Sequence, residues 1–102
     1  MPNYHITEDE LDILHFIQKN PKTSQRGLAK RTGLSIGKVN YCIKALLDVG
    51  FIKVNNFRNS KNKTQYMYSL TPKGMRNKTE ITKKFIVKKV QEYDKLNSYI
   101  NT

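Results

Sequence analysis

One short stretch near the middle of the 102-residue chain carries side chains suited to reading nucleic-acid bases. Gly37, Asn40 and Lys44 are spaced three and four residues apart, which places them on one side of a helix. Asn pairs with adenine edges, Lys pairs with guanine edges or phosphate, and glycine permits close approach. The pattern predicts a helix that lies in the major groove of double-stranded DNA; the alternative is an ordinary solvated face. The predicted DNA contacts are Ser35, which is the expected N-cap of this helix, and Gly37, Lys38, Asn40, Tyr41 and Lys44.

A second segment is suited to neutralising phosphate charge. No acidic residue occurs between Ile52 and Arg76, and acids there would weaken attraction to phosphate. Two strand-like runs flank a polar, basic stretch, which predicts a β-hairpin with a cationic tip, a wing. Arg58 in particular suits a narrow minor groove, whereas the alternative is a solubilising loop. The predicted wing contacts are Arg58, Asn59, Ser60, Lys61, Asn62 and Lys63.

A third group, Thr23, Ser24 and Gln25, lies at the start of a predicted short helix. Free backbone N–H groups at a helix N-terminus attract phosphate, and these side chains add hydroxyl and amide groups. One of the three can instead simply cap the helix, and both roles can hold at once.

Three helices are predicted to position these groups. The first starts with a capping box at Thr7 and Glu10 and ends before Pro21. The second runs to Arg31 or Thr32, where Gly33 breaks it, and the third extends from Ile36 to about Val49. Two short helices with such a connection indicate a helix-turn-helix. The side of the third helix predicted to pack on the first two carries Ile36, Val39, Ile43, Leu46 and Leu47.

The hairpin is predicted to run from Phe51 through Phe57 and back from Tyr66 to Leu70. Tyr66 and Tyr68 alternate on one strand face. They could stack on single-stranded bases, but packing of the hairpin against the helices is the preferred interpretation.

A last helix is predicted to begin at Thr71-Pro72, with irregular first turns around Gly74 and Asn77. Its apolar residues cover about half of the helical circumference. In a protein this small, the same helix of a second copy is the expected cover, which predicts a homodimer; the alternative is docking onto the chain's own domain. The predicted interface comprises Ile81, Phe85, Ile86, Val90, Tyr93, Leu96 and Ile100.

Charge favours a polyanionic partner. The formal net charge is +11. Seven basic and five acidic residues precede residue 53, and twelve basic and three acidic residues follow. Such an excess favours binding through phosphate neutralisation and counterion release.

Catalytic and metal chemistry are not indicated. One cysteine, Cys42, and two histidines, His5 and His15, give no zinc-ligand spacing, and no catalytic motif or glycine-rich phosphate loop is present. The sequence therefore predicts neither an enzyme nor a cofactor or metal. It has no membrane-length apolar run and no signal-peptide core, so we expect a soluble, cytoplasmic protein. A small-molecule effector is left open.

The fold class predicted is mainly α with a small β-hairpin. Residues 1–70 form a winged helix-turn-helix DNA-binding domain, and residues 71–102 form a long C-terminal helix for dimerisation.

Four strings of residues resemble a known family. They are residues 24–29 (SQRGLA), 35–42 (SIGKVNYC), 56–63 (NFRNSKNK) and 70–74 (LTPKG). They resemble the MarR-family EPS-associated transcriptional regulators, small winged-helix proteins found near polysaccharide gene clusters. The likeness covers nearly the whole chain. It implies DNA binding and transcriptional control, with Gly37, Lys38, Asn40 and Tyr41 on the helix and Arg58 to Lys63 on the wing.

The sequence thus predicts a homodimeric bacterial transcription regulator that binds an inverted repeat, with half-sites one helical turn or a small multiple apart. The alternative is a winged-helix module that binds RNA or the transcription machinery and modulates elongation. Tyr41, Tyr66, Tyr68 and the basic wing would then form its contact surface.

Overall fold

The computed structural model of the chain describes residues 5–58 and 64–101, without the side chains of residues 56–58 and 64–66. Three helices, a two-stranded antiparallel hairpin and a long helix follow one another, as predicted. In chain order the elements are α1 (Glu8–Lys19), α2 (Gln25–Thr32), α3 (Ile36–Asp48), β1 (Ile52–Arg58), β2 (Thr64–Leu70) and α4 (Pro72–Ile100).

The helix ends follow local chemistry. Thr7 and Glu10 form the predicted capping box, with each side chain accepting from the backbone N–H of the other. Gly33 closes α2 in the left-handed region at φ 77°, a conformation that glycine adopts without steric cost. Thr71 caps α4, which has Pro72 at its first position. These ends fix where α1 and α4 start and where α2 stops.

One hydrophobic core joins α1, α2 and α3 to the base of the hairpin and the first part of α4. Cys42 and Leu46 of α3 are fully buried, as are Ile13 of α1 and Leu28 of α2. Burial raises the pKa of the Cys42 thiol, with a smaller contribution from Glu10. Cys42 is therefore the small core hydrophobe that was predicted.

The hairpin packs against this core through its first residues. Phe51 is fully buried, and Ile52 pairs with Leu70 across the ladder. Tyr68, opposite Val54, is only 6% exposed. The preferred packing role of Tyr68 is confirmed, whereas the Tyr66 side chain lies outside the described residues.

The start of α4 is held closely against the hairpin base. The backbone N–H of Thr71 donates to the Phe51 carbonyl at 3.0 Å, and its hydroxyl donates to the Gly50 carbonyl. A Cβ on Gly74 would collide with the Phe51 carbonyl. The predicted irregularity is wrong, because α4 is continuous from Pro72. Gly74 serves this close approach rather than a break in the helix.

Two residues assigned to the dimer interface belong to the chain's own core. Ile81 is 8% exposed within the core cluster, and Phe85 is partly buried against it. The predicted stripe was too wide, since these residues lie on the margin of α4 that faces the core. After Phe85 every described residue of α4 is exposed.

Ile36 also departs from expectation. It was assigned to the packed side of α3, but it is 50% exposed at the first position of that helix. Its neighbours on that side, Val39 and Ile43, are buried as predicted.

No helix within residues 5–58 and 64–101 combines the length and apolarity needed to cross a membrane. The same residues include no group of three or more His, Cys, Asp and Glu side chains that could hold a metal ion.

Candidate nucleic-acid interface

The outward face of α3 combines exposed and half-buried residues. Tyr41 is 63% exposed and Lys44 is exposed. A Cβ at Gly37 would meet no atom of the described residues within 4 Å. Although glycine lowers helix stability relative to alanine, no neighbour among the described residues requires its small size, and its lack of a side chain leaves the helix backbone open to approach.

The start of α3 is ordered by its cap. The Ser35 hydroxyl accepts from the backbone N–H of Lys38 at 3.1 Å. The Lys38 ammonium lies 5.2 Å from the centre of the Tyr41 ring, within the range of a cation–π contact. Ser35 thus caps the start of α3. Lys38 lies at the edge of the open face, among the contacts predicted from the sequence.

Asn40 is held by a chain of hydrogen bonds that crosses three elements. Its Nδ2 donates to Oε1 of Gln25 at 3.4 Å, and Nε2 of Gln25 donates to the Tyr68 hydroxyl at 3.1 Å. Tyr68 is buried, whereas Gln25 and Asn40 are half-buried. The hairpin therefore fixes the orientation of a candidate base-reading amide through α2. We call this series of hydrogen bonds between Asn40, Gln25 and Tyr68 the amide relay.

The relay was not predicted, because its members lie 15 and 43 residues apart. Gln25 had been assigned to phosphate contact alone. A polar residue at each position was visible in the sequence, but only the tertiary fold brings them together.

The start of α2 resolves a choice that the sequence left open. The Ser24 hydroxyl accepts from the Gly27 N–H at 3.1 Å, so Ser24 is the N-cap. Thr23 precedes it and is half-buried. Contact of Thr23, Ser24 and Gln25 with phosphate stays a prediction.

Three further cations lie beside this helix start. Lys19, Lys22 and Arg31 line an open surface cleft with Thr23. Sequence reasoning did not single them out, because they are scattered along the chain on either side of the turn. Ile36 was also missed as a surface residue, and an exposed aliphatic group beside Gly37 suits contact with a thymine methyl.

The structure describes the base of the wing. The antiparallel register runs from Ile52↔Leu70 to Arg58↔Thr64, which confirms the predicted hairpin. The contacts predicted for the tip, Asn59, Ser60, Lys61, Asn62 and Lys63, and the Arg58 side chain lie outside the described residues.

A cluster at the junction of α1 and α4 lies apart from this face. Nζ of Lys78 is 3.0 Å from Nδ1 of His15 and also donates to Gln18. Burial, followed by Lys78 and Lys19, lowers the pKa of His15. Burial and Lys19 likewise lower the pKa of Lys78. The lowered pKa of His15 favours the neutral imidazole, whose Nδ1 can then accept from Nζ of Lys78.

Comparison with known proteins supports this fold. Residues 10–53 match the family described as winged helix-turn-helix DNA-binding. No curated protein matches the chain. Among solved structures, FabT of Streptococcus pneumoniae in complex with DNA is 22% identical over 85% of this chain and 59% of its own, with a TM-score of 0.61.

Two other solved structures are similar. MarR of Staphylococcus aureus, in complex with salicylate and kanamycin, is 28% identical over 85% of this chain and 55% of its own, with a TM-score of 0.60. A PadR-like transcriptional regulator from Bacillus cereus is 17% identical over 85% of this chain and 89% of its own, with a TM-score of 0.72.

The chain thus spans 59% of the FabT chain and 55% of the MarR chain, less than two thirds of either. The predicted winged helix-turn-helix and its likeness to MarR-family regulators are confirmed. The association with polysaccharide genes is untested and stays a prediction.

Proposed function

We propose that this winged helix-turn-helix chain is a transcriptional regulator that binds double-stranded DNA in a sequence-specific manner as a homodimer. In this proposal α3 lies in the major groove, and the basic wing contacts the adjacent backbone or minor groove. The observation that carries it is the outward face of α3, where Gly37 is open beside Asn40, Tyr41 and Lys44.

The α3 face meets the requirements of base reading. Hydrogen-bond donors and acceptors must reach base edges, and the helix backbone must approach the groove floor. Asn40 supplies a donor and an acceptor in a fixed orientation, because its amide is bound to Gln25. The open space at Gly37 permits the close approach.

Charge and similarity support DNA rather than another partner. The chain carries a net charge of +11, and no acid occurs from Ile52 to Arg76. Its fold is that of FabT, whose structure was solved in complex with DNA. In this proposal, Lys61 and Lys63 and the cations beside Thr23 neutralise phosphates of the DNA backbone.

Dimerisation is proposed from α4. Beyond Phe85 this helix exposes Ile86, Val90, Tyr93, Leu96 and Ile100, each between 53% and 81%. A contiguous apolar face of this kind indicates a protein contact. A second copy supplies a matching face and gives the two-fold symmetry that an inverted repeat requires.

The genes controlled are proposed to include polysaccharide genes, on the strength of the sequence resemblance alone. As a regulator of bacterial genes, the protein would act in the cytoplasm. No catalytic activity, cofactor or effector is proposed.

A second candidate function is binding to RNA or the transcription machinery. The exposure of Tyr41 favours it, since an exposed ring can stack on an unpaired base. Competition between labelled duplex DNA and single-stranded RNA or polymerase separates the two candidates. Preference for RNA or polymerase over every duplex would overturn the DNA proposal.

The decisive experiment is genome-wide enrichment of bound DNA, followed by a search for a two-fold symmetric motif. We expect one motif whose binding weakens uniformly, with a smaller salt dependence, in Lys61→Ala and Lys63→Ala. Lys83→Ala, an exposed α4 cation paired with Glu80, serves as the charge-matched control. Enrichment without a motif, or an equal loss in the control, contradicts the proposal.

A further inference from the structure

The exposed residues of α4 have a symmetry that the proposed dimer does not by itself require. Counted from Tyr93, Ile86 and Ile100 lie seven residues away on either side, and Val90 and Leu96 lie three away. Each of these five side chains is more than 50% exposed. The apolar pattern of this segment therefore reads the same in both directions along the helix.

The symmetry holds in three dimensions. At 100° per residue, Ile86, Tyr93 and Ile100 form a line within about 40°. Val90 and Leu96 lie about 60° to either side of Tyr93. Such a face matches a second copy of itself when the two helices run in opposite directions, because Ile86 of one chain then faces Ile100 of the other and Tyr93 meets Tyr93.

Charge favours the same arrangement. Up to Phe85 the chain contains sixteen basic and six acidic residues, and the rest contains three and two. A parallel pair places the two strongly basic domains at the same end of the helices, where they repel each other. An antiparallel pair places them at opposite ends.

We propose that two copies pair through α4 in antiparallel orientation, with the two-fold axis beside Tyr93, and that this pairing sets the distance between the two DNA-reading units. The inference rests on the proposed function for its second part alone. The pairing itself is a property of the free protein.

The distance follows from helix geometry. Ile81, the last fully core-packed residue of α4, lies twelve residues before Tyr93. At about 1.5 Å per residue this is about 18 Å along the helix, and the two-fold axis doubles it to about 36 Å between Ile81 of one copy and Ile81 of the other. Half-sites one turn of B-DNA apart are separated by about 34–36 Å. Reading units held at the level of Ile81 fit half-sites one turn apart, and this spacing, among the small multiples of a turn that the sequence allowed, is part of the proposal.

Cysteine cross-linking tests the pairing without DNA. In an antiparallel pair, Ile86 of the two copies lie about 21 Å apart along the helices, too far for a disulfide. We expect Ile86→Cys and Ile100→Cys each to stay unlinked on oxidation, and a one-to-one mixture or the double variant to form a covalent dimer. The native Cys42 is buried and common to all variants.

The matched control is Val87→Cys. Val87 is as exposed as Ile86, at 56%, but lies about 100° around the helix. It should form no cross-link alone or with either partner variant. Cross-linking of Ile86→Cys with itself would show a parallel pair, and no cross-link in the mixture or double variant would show that α4 does not pair this way. Either result overturns the inference.

Operator spacing tests the second part. Duplexes that carry two half-sites with centres 8 to 14 base pairs apart are titrated with the wild type and with Tyr93→Glu, whose exposed position permits folding. We expect an affinity maximum at about 10–11 base pairs, lost in Tyr93→Glu and retained in Val87→Glu. A maximum at another spacing overturns the distance. Antiparallel cross-links without DNA binding would leave the pairing standing and refute the proposed function.

Discussion

Helix α3 and the second half of α4 both present side chains that the chain does not cover, yet the two surfaces differ in kind. The α3 face is polar, with an open glycine, and the opposite side of the helix is buried in the core. The α4 segment lies beyond the core and exposes branched and aromatic side chains. A polar face is stable in water without a partner, whereas an apolar one is not.

The difference separates recognition from assembly. On α3, a rigid base holds hydrogen-bonding groups in fixed positions for a ligand that brings its own donors and acceptors. On α4, apolar side chains gain free energy when any complementary apolar face covers them, and a second copy offers that face at the same concentration as the chain itself. Specificity should therefore depend on α3, and concentration dependence on α4.

The largest expected effect compares two leucines. Leu46 on α3 is fully buried, and Leu96 on α4 is 61% exposed. Leu46→Ala should lower the free energy of unfolding by about 2–5 kcal/mol. Leu96→Ala should change it by about 0.5 kcal/mol or less at concentrations where the chain is monomeric. Urea denaturation at low and high protein concentration measures both, and an equal cost for the two would erase the distinction between the helices.

The next prediction concerns base reading. Asn40→Ala should remove about 1–3 kcal/mol of discrimination at one base pair of each half-site, because a bidentate contact is lost. The salt dependence of binding should stay unchanged, since no phosphate contact is removed. Affinity for a set of single-base operator variants gives the result. A uniform loss across all sequences would assign Asn40 to the backbone instead.

The amide relay gives a smaller effect at the same position. Tyr68→Phe keeps the buried ring but removes the hydroxyl that accepts from Gln25, so Asn40 should lose part of its orientation. We expect about 0.5–1.5 kcal/mol less discrimination at the base pair affected by Asn40→Ala. Ser69→Ala is the matched control, since it removes another hydroxyl of β2, the one bonded to Asn55. Similar losses in both variants would mean that the hairpin acts only through its stability.

Gly37→Ala should change stability and binding in opposite directions. Because a Cβ at this position meets open space, alanine should raise the free energy of unfolding by up to about 1 kcal/mol. The same methyl group should weaken binding to the operator by blocking close approach. Thermal unfolding and operator titration test the two parts, and unchanged affinity would show that Gly37 faces no ligand.

The smallest effect concerns the contact between α1 and α4. The pKa of His15 is lowered below its unfolded value of 6.5 by burial and then by Lys78 and Lys19. The unfolded chain therefore binds more protons, so stability is present above pH 6.5 and falls as the pH drops below it. His15→Gln should lose less stability than the wild type between pH 7.5 and 5.5. The raised pKa of Asp12, due mainly to burial, acts in the opposite direction at lower pH.

Local features were predictable and tertiary ones were not. The caps at Thr7, Ser35 and Thr71 depend on residues three positions apart, so they could be predicted from the sequence. Gly74 was misread, because its reason is the Phe51 carbonyl more than twenty residues away.

The sequence also did not show where the buried face of a helix ends. Ile81 and Phe85 share the apolar stripe of α4, and only the packing of α4 against α1 and β2 shows where the core ends. Ile36 has the chemistry of a core residue, but it lies in the first turn of α3 and is half exposed. The polar face of α3 was found because its donors recur at helical spacing, whereas the relay that orients Asn40 was not.

The two ends of the hairpin are held at the same place in the core by backbone hydrogen bonds. Phe51 donates to Leu46 at its start, and Thr71 donates to Phe51 and Gly50 at its end. Within the nineteen residues between them, the segment between the buried residues Ile52 and Tyr68 can be exchanged as a unit. A wing of different length or sequence, grafted between Lys53 and Met67, should fold on the same base and transfer its own groove preference while α3 keeps its target. Natural variation can therefore act on the wing without disturbing the rest of the protein.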